Sequence, residues 1–79
     1  MNEDQVLDAI KDIAEERLGI EPNEIHKESH IRDDLALDSL DLMDLIVSLE
    51  KEFNIGIPDE TTDKIVTIGD LVDYIRDNA

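Results

Sequence analysis

The sequence predicts an all-α fold: a four-helix bundle of three longer helices and one short one, with a long loop between the first and second. Three observations carry this prediction. Apolar residues recur at spacings of three and four within segments separated by turn residues. Residues suited to cap a helix stand just before those segments, at Asn2, Asp38 and Thr67. No alternating apolar–polar pattern of the kind a strand needs extends beyond a few residues.

The first helix is expected over about 3–18. Asn2 caps it and Gln5 follows at the spacing of a capping box. Val6, Ile10, Ile13 and Ala14, then Arg17 and Leu18, form its repeating face. Gly19 suits the left-handed residue just past a helix end, and Pro22 follows. Residues 19–38 are weakly patterned, with Ile25, Ile31, Leu35 and Leu37 spaced along them. Such spacing suggests a loop pinned onto the core, with room for a helical turn. The second helix is expected from about Ser39 to Phe53, capped by Asp38, with Asp41 placing acid in its first turn. Asn54 and Gly56 end it. Pro58 can begin a short third helix reaching about Lys64. Thr67 caps a fourth, with Asp70 three residues later, running to about Arg76 around Ile68, Leu71, Val72 and Ile75.

Composition narrows the function. The 79 residues fit one domain, 1–79, and bury too little surface for a deep enzyme cleft. There is no Cys, which excludes disulfides, zinc–thiolate and iron–sulfur sites and thiol nucleophiles. The 22 Asp and Glu against 7 Lys and Arg give a net charge of −15. That balance argues against nucleic acid and anionic membranes and for basic partner surfaces. It also predicts a folded but salt-sensitive domain. The opening Met1-Asn2-Glu3-Asp4 is acidic, unlike a secretory or transit leader, and no apolar run nears a membrane span. A soluble cytoplasmic protein is the expectation.

The second helix carries two apolar stripes. Leu42, Leu45, Ile46, Leu49 and Phe53 form one, and Leu40, Met43 and Val47 form another, flanked by Asp41, Asp44 and Glu50. The second stripe is either core in a widely wrapped bundle or an exposed docking patch edged with acid. Ser39, where loop becomes helix, likewise has two readings. It is a common helix-start residue, or it is a modification site, since a helix N-terminus tolerates a phosphate ester well.

Other constellations are weaker. His26 and His30 stand at i, i+4 but in a loop, with no evident third metal ligand. One of them, crowded by carboxylates, could serve as a pH-sensitive brake. A hydrolase triad around Ser39 lacks a Gly-rich elbow. The acids at Asp33-Asp34 and Asp59-Glu60 lack the twelve-residue calcium-loop pattern, leaving only diffuse divalent binding. Phe53 and Tyr74 read as packing residues.

The segment Asp34-Leu35-Ala36-Leu37-Asp38-Ser39-Leu40-Asp41 resembles the attachment motif of acyl carrier proteins. Leu49-Glu50-Lys51-Glu52-Phe53, Ile57-Pro58-Asp59-Glu60, Lys64-Ile65-Val66-Thr67-Ile68 and Asp73-Tyr74-Ile75 are similar to later segments of that family, in order. The resemblance implies a freestanding carrier, not an enzyme. Ser39 would bear 4′-phosphopantetheine, transferred from coenzyme A by a phosphopantetheinyl transferase, with Asp38 part of the recognised motif. The arm's thiol would hold acyl groups as thioesters for separate synthases and transferases of fatty-acid, polyketide or related lipid synthesis. The resemblance further implies that Leu40, Met43 and Val47 touch partners while Asp38, Asp41, Asp44 and Glu50 meet their basic groups. The acyl chain would lie against Leu45, Ile46, Leu49, Ile57 and Ile65. No resident metal is implied, and a monomer is expected. Ala36 stands where many members have Gly, so a positive backbone dihedral there would be resisted. Lys51 stands where many have acid. An aminoacyl carrier, D-alanyl or peptidyl, shares Ser39 and differs in cargo. An acidic interaction module would leave Ser39 unmodified.

Overall fold

A computed structural model describes residues 2–79; Met1, the first residue of the acidic opening, lies outside the described residues. The elements are α1 (Glu3–Leu18), a 3-10 turn (Pro22–Glu24), α2 (Ser39–Phe53), α3 (Asp59–Lys64) and α4 (Ile68–Asn78). Among the described residues there are four α-helices and no strands.

Each long helix starts where its side-chain chemistry dictates. Asn2, Asp38 and Thr67 accept from the backbone N–H of Gln5, Asp41 and Asp70, and all three pairs complete reciprocal capping boxes. α1 ends at Gly19, with φ of 69°, where Gly19 N donates to Glu15 O and Ile20 N to Ala14 O. α2 ends at Asn54, also left-handed. α3 differs slightly from expectation: Pro58 is its N-cap, and the helix proper starts at Asp59. α4 runs two residues beyond the expected Arg76, to Asn78, whose side-chain amide donates to Tyr74 O.

α1 packs against both α2 and α4. Val6, Ile10 and Ala14 meet Leu42, Leu45, Ile46 and Leu49 of α2 and Ile68, Leu71, Val72 and Ile75 of α4 in one buried core. Arg17, read as part of the α1 face, is exposed, and its side chain reaches sideways to Asp44. Phe53 and Tyr74 pack half-buried against the core, and the Tyr74 hydroxyl donates to Gly56 O.

The long loop is pinned, as its spaced apolar residues suggest. Ile25, Ile31 and Leu37 are buried, and Leu35 packs against the core. Backbone bonds then register the loop against the segment after α3 and the first turn of α4. Ile31 N donates to Val66 O, Ile68 N to Ser29 O and Gly69 N to Lys27 O, around an isolated antiparallel bridge between His30 and Thr67. Gly69 suits this close approach: a Cβ there would stand 3.0 Å from Lys27 O, so that carbonyl would have to give by a few tenths of an ångström. Buried Ser29 accepts from His26 N and donates to Glu24 O. Among the described residues, no helix is long and apolar enough to cross a membrane.

Candidate functional site at the start of the second helix

The pinned loop delivers the chain to α2 through Leu37 and Asp38, and Ser39 is the first helical residue. Leu37 is buried while Ser39 is exposed, so the loop is anchored two residues before the hydroxyl emerges. The Asp38 Oδ1–Asp41 N bond of 2.9 Å fixes the helix start beneath it. Arg32 Nη2 lies 3.5 Å from Ser39 Oγ, the longest hydrogen bond at this site.

Ala36, three residues earlier, has φ of +55°. It takes the left-handed conformation that its Cβ disfavours, so the loop keeps the shape a Gly would allow, at a cost of roughly 1–2 kcal/mol.

Beside Ser39 opens a groove of about 400 Å³ between the loop, α2 and α3 with the segment after it. Ile31, Leu42, Met43, Ile65 and Val66 supply its apolar wall. His30, Arg32, Thr62 and Asp63 supply the polar part. Of the residues expected against an acyl chain, Ile65 lines this groove. Leu45, Ile46 and Leu49 are packed in the core, as is Ile57. An apolar chain entering past Leu42 and Ile65 would therefore have to part the core to reach them.

The two stripes of α2 separate as the helical period requires. Leu42, Leu45, Ile46 and Leu49 are buried, whereas Leu40, Met43 and Val47 are 81%, 42% and 40% exposed. The second stripe therefore lies outside the core. The acids beside it are less free than the sequence suggests. Asp44 Oδ1 accepts from Arg17 Nε at 2.6 Å, and this contact raises the Arg17 pKa above its ordinary value. Glu50 Oε2 accepts from Ile57 N at 2.8 Å, tying α2 to the segment before α3. Asp38 and Asp41 are occupied in the capping box.

His26 and His30 do not assemble a metal centre; among the described residues no group of three or more His, Cys, Asp or Glu could hold a metal ion. His30 instead lines the groove, its Nδ1 3.5 Å from Asp33 Oδ2. Sequence reasoning did not single out Arg32. Its signal was available, since Arg32 is the sole Lys or Arg in residues 28–50.

Against known proteins, a family model described as the phosphopantetheine attachment site matches residues 8–75. The acyl carrier protein of Wolinella succinogenes is 47% identical over 73 residues, covering 92% of this chain and 96% of that protein. The chain belongs to the acyl carrier protein family. It is 48% identical to the acyl carrier protein of Clostridium acetobutylicum over 71 residues, covering 90% of this chain and 92% of that protein. The solved structure of the acyl carrier protein from Enterococcus faecalis superposes with a TM-score of 0.80 at 37% identity, over 100% of both chains. Membership makes this chain a carrier rather than an enzyme, with covalent 4′-phosphopantetheine as its cofactor. The structure fits that group: a serine hydroxyl stands exposed on a fixed helix end, beside a groove with an apolar wall. As a carrier it works with synthases and transferases.

Proposed function

We propose that Ser39 is the attachment residue and that this chain shuttles acyl thioesters among separate enzymes of fatty-acid or related lipid synthesis. The observation that carries the reading is the position of Ser39. Its hydroxyl is exposed at the first turn of α2, directly before the exposed stripe of Leu40, Met43 and Val47. A partner that docks on that stripe brings its own active site within reach of an arm rooted at Ser39. Loading is a phosphoryl transfer: the Ser39 oxygen displaces the nucleotide of coenzyme A, and the new phosphodiester joins serine to the arm. The arm's thiol then holds the acyl group as a thioester, whose carbonyl stays open to attack. In a chain without Cys, that thiol is the one thiol present.

Docking combines two forces. Apolar contact at Leu40, Met43 and Val47 provides the anchor, and the surrounding negative field steers basic partner surfaces. Asp38, Asp41, Asp44 and Glu50 contribute to that field even where their oxygens are engaged within the chain. The acyl chain enters the groove past Leu42 and Ile65 and reaches Leu45, Ile46, Leu49 and Ile57 by parting α2 from α3. Cytoplasm is the compartment in this reading, because coenzyme A must be at hand for loading.

The test is intact mass after incubation with coenzyme A, Mg²⁺ and a broad-specificity phosphopantetheinyl transferase. The expected result is the gain of one phosphopantetheinyl group, absent in Ser39→Ala, with the helical signal of that variant unchanged. A folded protein that gains nothing is an unmodified interaction module. Gain in Ser39→Ala would place the attachment elsewhere.

A further inference from the structure

The geometry points to Arg32 as the residue that holds the phosphodiester of the arm once Ser39 is loaded, an inference that rests on Ser39 being the attachment residue. Three observations converge. The first is position. Arg32 Nη2 already lies 3.5 Å from Ser39 Oγ, the atom to which phosphorus becomes bonded. The non-bridging oxygens of a phosphodiester at Oγ would lie one bond further out, on the side a rotamer adjustment of the guanidinium can reach.

The second is what Arg32 does not do. Of the seven Lys and Arg, Arg17, Lys27 and Arg76 sit on acids (Asp44, Glu3, and Asp73 with Asp77), whereas among the described residues Lys11, Lys51 and Lys64 carry no such pair and do not line the groove beside Ser39. Among the described residues, no carboxylate lies within ion-pair distance of Arg32. Its guanidinium meets the serine hydroxyl instead. Of the residues that line the groove, it alone carries a permanent positive charge.

The third is the electrostatic setting. A phosphodiester adds one negative charge beside Asp38 and Asp41, on a chain already at −15. Repulsion there would push the arm away from the surface, and a cation on the groove side would draw it inward. Arginine suits this work because its planar fork can donate two parallel hydrogen bonds to phosphate oxygens. The loop around it is braced to hold that position. Ile31 N donates to Val66 O, Leu37 N to Ile31 O, and both Asp34 N and Leu35 N to His30 O. Arg32 is thus a positioning residue: it sets where the arm leaves the protein and biases it toward the groove.

The test compares apo and loaded protein for the natural chain, Arg32→Gln and Arg32→Lys, each shown by intact mass to carry one phosphopantetheinyl group. Failure of the natural chain to load would sink the attachment reading itself, before Arg32 is at issue. With loading shown, two readouts are taken. The loaded-minus-apo change in melting temperature is expected to be about 3 °C less favourable in Arg32→Gln than in the natural chain. That difference should shrink at about 0.5 M salt. The ³¹P resonance of the phosphodiester is expected to shift between the two proteins, with Arg32→Lys intermediate because it keeps charge but loses the fork. Equal melting changes and coincident ³¹P resonances in the natural chain and Arg32→Gln would overturn the inference. If Arg32→Gln slowed loading while both readouts stayed equal, Arg32 would belong to the transferase interface instead.

Discussion

Arg17 Nε donates to Asp44 Oδ1 across 2.6 Å, joining α1 to α2 at the edge of the exposed stripe. Both side chains are substantially exposed, so the pair contributes little to stability. Its larger effect is on the surface. It neutralises one of the acids flanking Met43 and Val47, and Lys51 lines the same shallow depression between α1 and α2. Arg17→Gln is therefore expected to leave the melting temperature nearly unchanged and to speed transfer to a partner with a basic docking surface. The gain should be seen at low salt and fade as salt rises. Rates of acyl transfer at two ionic strengths check this. A slower rate at low salt would instead show that Arg17 meets an acid of the partner.

Exposure of the second stripe separates docking from folding. Met43→Glu or Val47→Glu is expected to change stability by no more than about 0.5 kcal/mol. Both should impair turnover with partner synthases, raising KM more than they change kcat. Leu45→Ala, two residues from each, removes a fully buried side chain and is expected to cost about 2–5 kcal/mol. Urea unfolding beside partner kinetics reads both effects. Comparable destabilisation by Met43→Glu and Leu45→Ala would place the second stripe in the core.

The left-handed conformation of Ala36 invites a gain in stability. At φ of +55° its Cβ crowds the backbone, and glycine removes that contact. Glycine also has more freedom to lose on folding, so the net gain is smaller than the strain. Ala36→Gly is expected to stabilise the chain by about 1 kcal/mol, which for a domain of this size raises the melting temperature by about 4–8 °C. Thermal unfolding checks it. A lower melting temperature would mean that the Ala36 methyl group contributes packing that outweighs the strain.

Much of the fold was legible because its signals are local. The starts of α1, α2 and α4 are written in capping residues that act within three positions. The ends of α1 and α2 lie at Gly19 and Asn54, residues that tolerate the left-handed turn. Ser39 and the α2 stripe were legible for the same reason: they lie within one helix. The site's other half was not. The groove requires His30, Arg32, Thr62 and Val66 to meet across long stretches of chain, and the pairing of His30 with Thr67 that brings them together has no periodic signature. Arg17 was misplaced on the core face because its spacing fits α1. Its length and charge instead carry it outward to Asp44. The last two residues of α4 end in a side-chain bond from Asn78 to Tyr74 O that spacing does not announce.

Asp70 links that long-range pairing to pH. Its Oδ2 accepts from Val66 N at 2.9 Å and Thr67 N at 3.1 Å, and Val66 O in turn receives Ile31 N from the long loop. The two backbone donors, Val66 first, hold the Asp70 carboxyl below the usual carboxylate range. A carboxyl whose pKa is lower folded than unfolded stabilises the fold while ionised. The contribution is full above the unfolded value of about 3.9 and is lost as pH falls from there through the folded value. Asp70→Asn keeps one acceptor oxygen but no charge, so it should be less stable than the natural chain at neutral pH. The gap should hold down to about pH 4.5 and then narrow as acid protonates Asp70 in the natural chain. Protonation of the other carboxylates acts on both proteins alike, so their difference isolates this group. Melting temperatures of the two proteins from about pH 7 to about pH 2.5 make the comparison. Parallel curves across that range would mean that Asp70 acts through its shape alone. A narrowing gap would show that its charge fastens the loop to α4 and so helps keep the groove beside Ser39 in place.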